Sequence, residues 1–275
     1  MKKRFLCALL LPLLCHLPVP AKDEVIPAGK EVTAVEYPEL PLPFGAGFFY
    51  FGQEQEYVVT GLTATAFGFP VPALGSNSIT RIENRVDQFN FKGDYWILPW
   101  LNAHGLIGTA SGRATATINP LLKGPPFFLT DFVVDYDALV YGGGITLAAG
   151  FKNIFATVTA DYTWGDVDLP DGPGLTLNDP NGIETLVVTP KIGVHGKRGS
   201  LWAGAYYQFT QHTQTGTFIL PGPLPVDFAA DVQDKTPWTP VVGGEYYFNE
   251  HWALTLEFGF GEDRRQGLAG MTYRF

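Results

Sequence analysis

The chain ends Gly267-Leu268-Ala269-Gly270-Met271-Thr272-Tyr273-Arg274-Phe275. Read by twos, Gly267, Ala269, Met271, Tyr273 and Phe275 fall on one face, and Leu268, Gly270, Thr272 and Arg274 on the other. Successive side chains of a strand point to opposite faces, so Arg274 turns away from whatever apolar medium Tyr273 and Phe275 touch. A sheet with such a face packs on another layer or stands in lipid. In lipid it must close on itself, because an open edge leaves N–H and C=O groups unpaired in hydrocarbon.

The other end carries an address. Met1-Lys2-Lys3-Arg4 is cationic, residues 5–15 are apolar, and Ala21 offers a small residue before a cut at Lys22. That is the pattern of a secretory signal peptide, and the apolar run is too short to span about 30 Å of hydrocarbon. A lipoprotein cut before Cys15 would need a small residue where Leu14 stands. Cys7 and Cys15, the only cysteines, both lie in this segment, so the mature chain is expected to have neither disulfides nor thiol chemistry. Losing Lys2, Lys3 and Arg4 lowers the formal charge from −9 to −12, which disfavours nucleic acid as a partner.

The chain end resembles that of bacterial outer-membrane β-barrels, whose last strand reads Gly-x-x-aromatic-x-aromatic; Gly270, Tyr273 and Phe275 match it. The resemblance implies export, reading of the C-terminal strand by the barrel-assembly machinery, and residence among outer-membrane lipid. Its fold would be all-β: a closed antiparallel transmembrane β-barrel.

Composition agrees. No run of 18 apolar residues follows the signal segment, yet aromatics make up 14% of the chain and glycine numbers 32. Ten alternating segments are expected, at 57–68, 85–98, 101–118, 137–149, 154–166, 183–195, 201–212, 238–248, 252–261 and 266–275. Eight or twelve strands also fit, because 48–57 could add pairing. Short connections alternate with long ones, as short periplasmic turns and long outer loops would; only 262–265 breaks the rule. Trp96, Trp100, Phe151, Phe155, Trp202, Phe248, Trp252, Tyr273 and Phe275 are expected to belt the short-turn end, and Trp164, Phe209, Trp238 and Phe260 the other. The division is signal peptide 1–21, an extended Pro- and Glu-containing segment 22–47, and barrel 48–275.

Parity then assigns faces. If Trp252, Leu254, Leu256, Phe258 and Phe260 face lipid, Glu257 faces inward, and the same rule sends Lys92, Asp94, Asp161, Lys191, Glu245 and Arg274 into the lumen. A charge at the lipid midplane would cost about 2–4 kcal/mol. Segment 101–118 gives no clean parity. The charges imply a lumen sealed by ion pairs such as Arg274 with Glu257, or a polar channel that selects solutes.

Three long connections, around Pro70, across 120–129 and across 218–226, are apolar and rich in proline. Exposed loops are usually polar, so Phe127, Phe128, Phe218 and Leu220 suggest an apolar mouth able to capture a small apolar molecule. No metal is expected: Asp166, Asp168, Asp171 and Asn178 to Asn181 read as turn chemistry without the bidentate Glu of a Ca2+ loop. No cofactor or catalytic residue is expected either. A rim hydrolase would need a nucleophile or acid beside His212, and Gln208, Thr210, Asp234, Asp161 and Asp166 are the best helpers on offer. The expected function is non-enzymatic: passive passage or binding of small, apolar molecules. A structural or surface-interaction barrel with a sealed lumen is the alternative.

Overall fold

A computed structural model of the chain describes residues 42–125, 127–170, 175–178, 182–220 and 224–275. The expected signal segment, most of 22–47 and the turn residues Asp171, Asp179 and Asn181 lie outside the described residues. Everything below belongs to the unit Pro38–Phe275.

All strand pairings are antiparallel, and the sheet closes. The long strands are β1 (Phe44–Ala66), β3 (Ile79–Leu98), β4 (Leu101–Ile118), β5 (Phe132–Phe151), β6 (Ile154–Asp168), β8 (Ile183–Gly196) and β9 (Gly199–Leu220). β10 (Leu224–Asp234), β11 (Trp238–Tyr247), β12 (Trp252–Phe260) and β13 (Arg264–Arg274) follow, with β2 (Phe69–Pro70) and β7 (Leu175–Leu177) as short additions in connections. β1 pairs with β3 on one side and β13 on the other, so a ring of ten strands closes at the short-turn end. No edge strand is left at that level.

The seam differs from the expected one. β13 closes against Gly45 to Gln55, not against 57–68, because pairing starts at Phe44, within the stretch read as an extended leader. The far half of β1 pairs instead with β10, a strand that the proline-rich reading took for a loop. β10 and β11 run in the same direction, β10 against the upper half of β9 and β11 against its lower half. They form one descending run broken at Lys235, Thr236 and Pro237. The β12–β13 hairpin is therefore a wedge: it fills the wall between β11 and β1 below, and β10 closes directly on β1 above it. The ring loses two strands at that height, which explains the short connection around Asp263. The Glu56 amide donates to the Asp263 carbonyl at 2.9 Å, and Lys235 Nζ reaches Asp263 Oδ1 at 2.7 Å. Lys235 and then Thr236 hold the Asp263 carboxyl below its usual range.

Faces follow parity along each strand, but their chemistry inverts halfway up. On β3 the outward residues of the lower half are Phe89, Phe91, Tyr95 and Ile97, all exposed, and the inward ones include Asn90, Lys92 and Asp94. Above them Arg81, Glu83, Arg85 and Asp87 point outward, while Ile82, Asn84 and Val86 line the interior. Neighbouring strands repeat this. Arg113 meets Asp135 across β4 and β5 outside at 2.5 Å, and Ala114, Val134 and Tyr136 line the inside. The lower storey is apolar outside and charged inside; the upper storey is the reverse, as in a barrel bathed in water.

Exposed aromatics ring the short-turn end at Phe44, Tyr95, Trp100, Phe151, Phe248, Trp252, Tyr273 and Phe275. Trp164, Phe209, Trp238 and Phe260 are exposed higher up. Trp96, Phe155 and Trp202, expected in the lower belt, instead share parity with the inward residues Asp94, Asp161 and Gly204. Trp202 Nε1 donates to Glu257 at 2.7 Å inside the barrel.

Candidate binding cavity

The seven charges expected in the lumen all lie on inward faces, but they pair differently from the expectation. Arg274 meets Asp94 at 3.2 Å, not Glu257; Glu257 meets Lys191 at 2.5 Å, with Lys191 lying 5.0 Å from the centre of the Trp202 ring. The reason is register. Arg274 and Asp94 both flank Gly45 of β1, which has no side chain to separate them, whereas Glu257 lies farther up β12. Glu245 accepts from the Tyr247 hydroxyl at 2.9 Å, and Asp161 is held by His104 at 2.5 Å. These pairs fill the lumen's lower half.

Above them the lumen opens into a cavity of about 470 Å³. Its wall is mostly aliphatic and aromatic, with Phe49, Phe51, Val86, Ala110, Val134, Ala138, Val187 and Tyr206 among the lining side chains. Lys92 and Asp161 reach its boundary, as do Asn84, Gln88, Gln208, Thr210 and His212. The all-polar lumen implied by the inward charges is thus confined to the lower storey. Small residues create the space: Ala110, Ala114 and Ala116 alternate along the inner face of β4 where neighbouring strands carry Val and Tyr. They also explain why parity was illegible there.

A second cleft of about 210 Å³ lies among the long connections, lined by Leu62, Phe127, Phe128, Leu129, Phe218 and Ile219 among others. Three of the four residues expected at an apolar mouth, Phe127, Phe128 and Phe218, meet there. Leu220 does not line it. Leu220 is buried in a cluster with Ala64, Leu74, Ile118, Leu122 and Val226, so it holds the connections together. Ile79, Phe132 and Phe228 line both cleft and cavity. The two apolar spaces therefore share a wall and follow one another from the mouth inward.

Gly270, Tyr273 and Phe275, expected to form an assembly signal, sit on the seam. Gly270 is the cross-strand partner of Phe49, and a Cβ built on it would overlap the Phe49 ring. The Phe275 amide donates to the Phe44 carbonyl at 3.0 Å, with the two rings stacked 6.0 Å apart; Tyr273 packs on Trp252 at 4.9 Å.

One cluster escaped the sequence reading. Arg264, 2% exposed, donates from Nε to Gln55 at 3.0 Å and from Nη2 to Asp234 at 3.1 Å, just where the ring loses two strands. Asp234 Oδ2 in turn accepts from the Thr210 amide at 2.5 Å. Gln208 and Thr210 line the cavity wall with His212, but of the three acids considered for a rim hydrolase Asp234 is paired with Arg264, Asp161 with His104, and Asp166 lies on the exposed face of β6. Among the described residues, no group of three or more His, Cys, Asp or Glu is placed to hold a metal ion.

No protein-family description matches the chain, and no curated protein does. Solved structures similar to it include the outer membrane protein OprG from Pseudomonas aeruginosa, at 11% identity and TM-score 0.43, covering 86% of this chain and 99% of that one. The transport unit of the autotransporter AIDA-I from Escherichia coli matches at 10% identity and TM-score 0.41, over 86% of this chain and 92% of that one. The Pseudomonas putida toluene transporter TodX matches at 12% identity and TM-score 0.32, over 86% and 89%. Likenesses this distant carry no argument about what the chain does, and the closed barrel stands on its own strand pairing.

Proposed function

We propose that this chain is a non-enzymatic outer-membrane barrel that takes a small apolar molecule in at its long-connection end and holds it in the upper lumen. The observation that carries the reading is the apolar succession from the cleft at Phe127, Phe128 and Phe218, through the shared wall at Ile79, Phe132 and Phe228, to the larger cavity. Pockets of some 300–1,000 Å³ with apolar walls and a few polar groups are the usual form of small-molecule sites. The inverted faces support the membrane assignment: the apolar lower exterior suits lipid, and the charged upper exterior suits water beyond it. Export, lipid contact and recognition of Gly270, Tyr273 and Phe275 by the assembly machinery belong to the same proposal.

Filling the cavity tests it. Ala138→Phe places a ring in the apolar space, and since a buried apolar side chain is worth about 1.5–3 kcal/mol to its contacts, uptake of an apolar tracer into vesicles should fall about tenfold. Heat-modifiable migration should persist, because the ring enters a void. Undiminished uptake by a folded Ala138→Phe barrel would overturn the reading.

A sealed lumen is the second reading, favoured by the paired charges Asp94–Arg274 and Lys191–Glu257 that fill the lower half. On this reading steady ion conductance in planar bilayers is small. Glu257→Ala leaves Lys191 without its carboxylate, and it should lower stability without opening a pore. A stepwise rise in conductance in that variant would instead mean that the pair gates a path through the base.

A further inference from the structure

We infer that the ligand of the luminal cavity is an amphiphilic monoanion, an apolar body ending in a carboxylate, with the carboxylate held by the Lys92 ammonium; this rests on the binding role proposed above. Among the described residues, four Lys or Arg side chains point into the barrel. Lys191, Arg264 and Arg274 each have a carboxylate oxygen, at 2.5, 3.1 and 3.2 Å. Lys92 has neither an ion pair nor a hydrogen bond among the described residues, yet it reaches the cavity boundary. The charged groups around it are Asp161, Asp94, Lys191 and Arg274. Both acids already have hydrogen-bonding partners of their own: Asp161 has His104 at 2.5 Å, and Asp94 has Arg274 and, at 2.8 Å, Asn102.

An ammonium at the end of an apolar space is costly to leave dry and unpaired. A carboxylate arriving there would make charge-assisted hydrogen bonds while its hydrocarbon body covers Val86, Val134 and Val187. Among the described residues Lys92 is the single Lys or Arg on the cavity wall, so one negative charge on the ligand is the most it can pair. A neutral hydrocarbon would fill the space and leave the ammonium unanswered. His212 lines the same cavity, and its buried Nδ1 has no hydrogen-bond partner among the described residues.

The test is calorimetric titration of the full barrel in lipid nanodiscs with naphthalene-2-carboxylate and its neutral isostere naphthalene-2-carboxamide. Wild type should bind the carboxylate at least about tenfold more tightly, the range of one charge-assisted contact. Lys92→Met should abolish that preference, and Lys92→Arg should keep it. The wild-type comparison needs no variant to fold, so equal affinities there overturn the inference outright, as would a preference that survives in Lys92→Met. Equal binding of both probes leaves the apolar-cavity reading standing without its anionic head; binding of neither removes both.

Discussion

Replacing Arg264 with Met should destabilise the barrel by about 3–5 kcal/mol, read as a lower urea midpoint for unfolding in detergent micelles. Asp234 has a side chain only 3% exposed and is left without its cation, while Gln55 and the Pro237 carbonyl each lose a donor. The magnitude comes from stranding a buried charge, not from the worth of the pair. Taking out both charges in Arg264→Met with Asp234→Leu should therefore recover most of the loss, since a buried pair is often replaceable by apolar residues. A single variant costing under about 1 kcal/mol, the usual range for exposed pairs, would show that this junction is open to water. The position matters because the wall changes strand number here: β1 passes from β13, whose ladder ends at Gln55 and Arg264, to β10, whose ladder begins at Tyr57 and Asp234.

Gly270→Val should block closure of the seam. The added Cβ collides with the Phe49 ring on the adjoining strand, and Phe49 faces the cavity at the junction with β13. Overpacking costs about 1–3 kcal/mol in well-packed interiors, and the upper end is expected where the last strand must join the first. Heat-modifiable barrel in the membrane fraction should drop severalfold, and adding Phe49→Ala should restore it by removing the obstructing ring. Failure of that rescue would mean Gly270 acts through recognition of the chain end during assembly, not through fit at the seam.

Much of the lower storey was legible because its exterior is apolar, so charge and apolar side chains alternate strictly along each strand. The bounds of β4 agree with the expected 101–118, as Pro99 and Trp100 before it and Asn119 and Pro120 after it mark both ends. The inward placement of Lys92, Asp94, Asp161, Lys191, Glu245, Glu257 and Arg274 follows from parity, each standing opposite an apolar outer face.

The upper storey was not legible for the same reason. Above the apolar band the exterior is wet, so Arg85 and Asp87 face out while Val86 faces in, and a reading that sends charges inward ends the strand there. β10 was hidden by Pro221, Pro223 and Pro225, although Val226, Phe228, Ala230 and Val232 alternate inward against Asp227 and Asp231, which are bonded outside to Thr217 and Thr213. The start of β1 was hidden because Phe48-Phe49-Tyr50-Phe51 is aromatic on both faces. The cavity depends on small inward residues of β4, and Arg264 on a change of strand number. Neither leaves a periodic trace in one strand.

The central claim is an apolar site inside the upper barrel, and anomalous diffraction from crystals soaked in 2-bromonaphthalene tests it most directly. The account predicts a bromine peak within the space bounded by Val134, Val187 and Tyr206, absent from Ala138→Phe crystals grown and soaked alike. A cavity holding only ordered water, with bromine confined to the lipid-facing exterior, would contradict it.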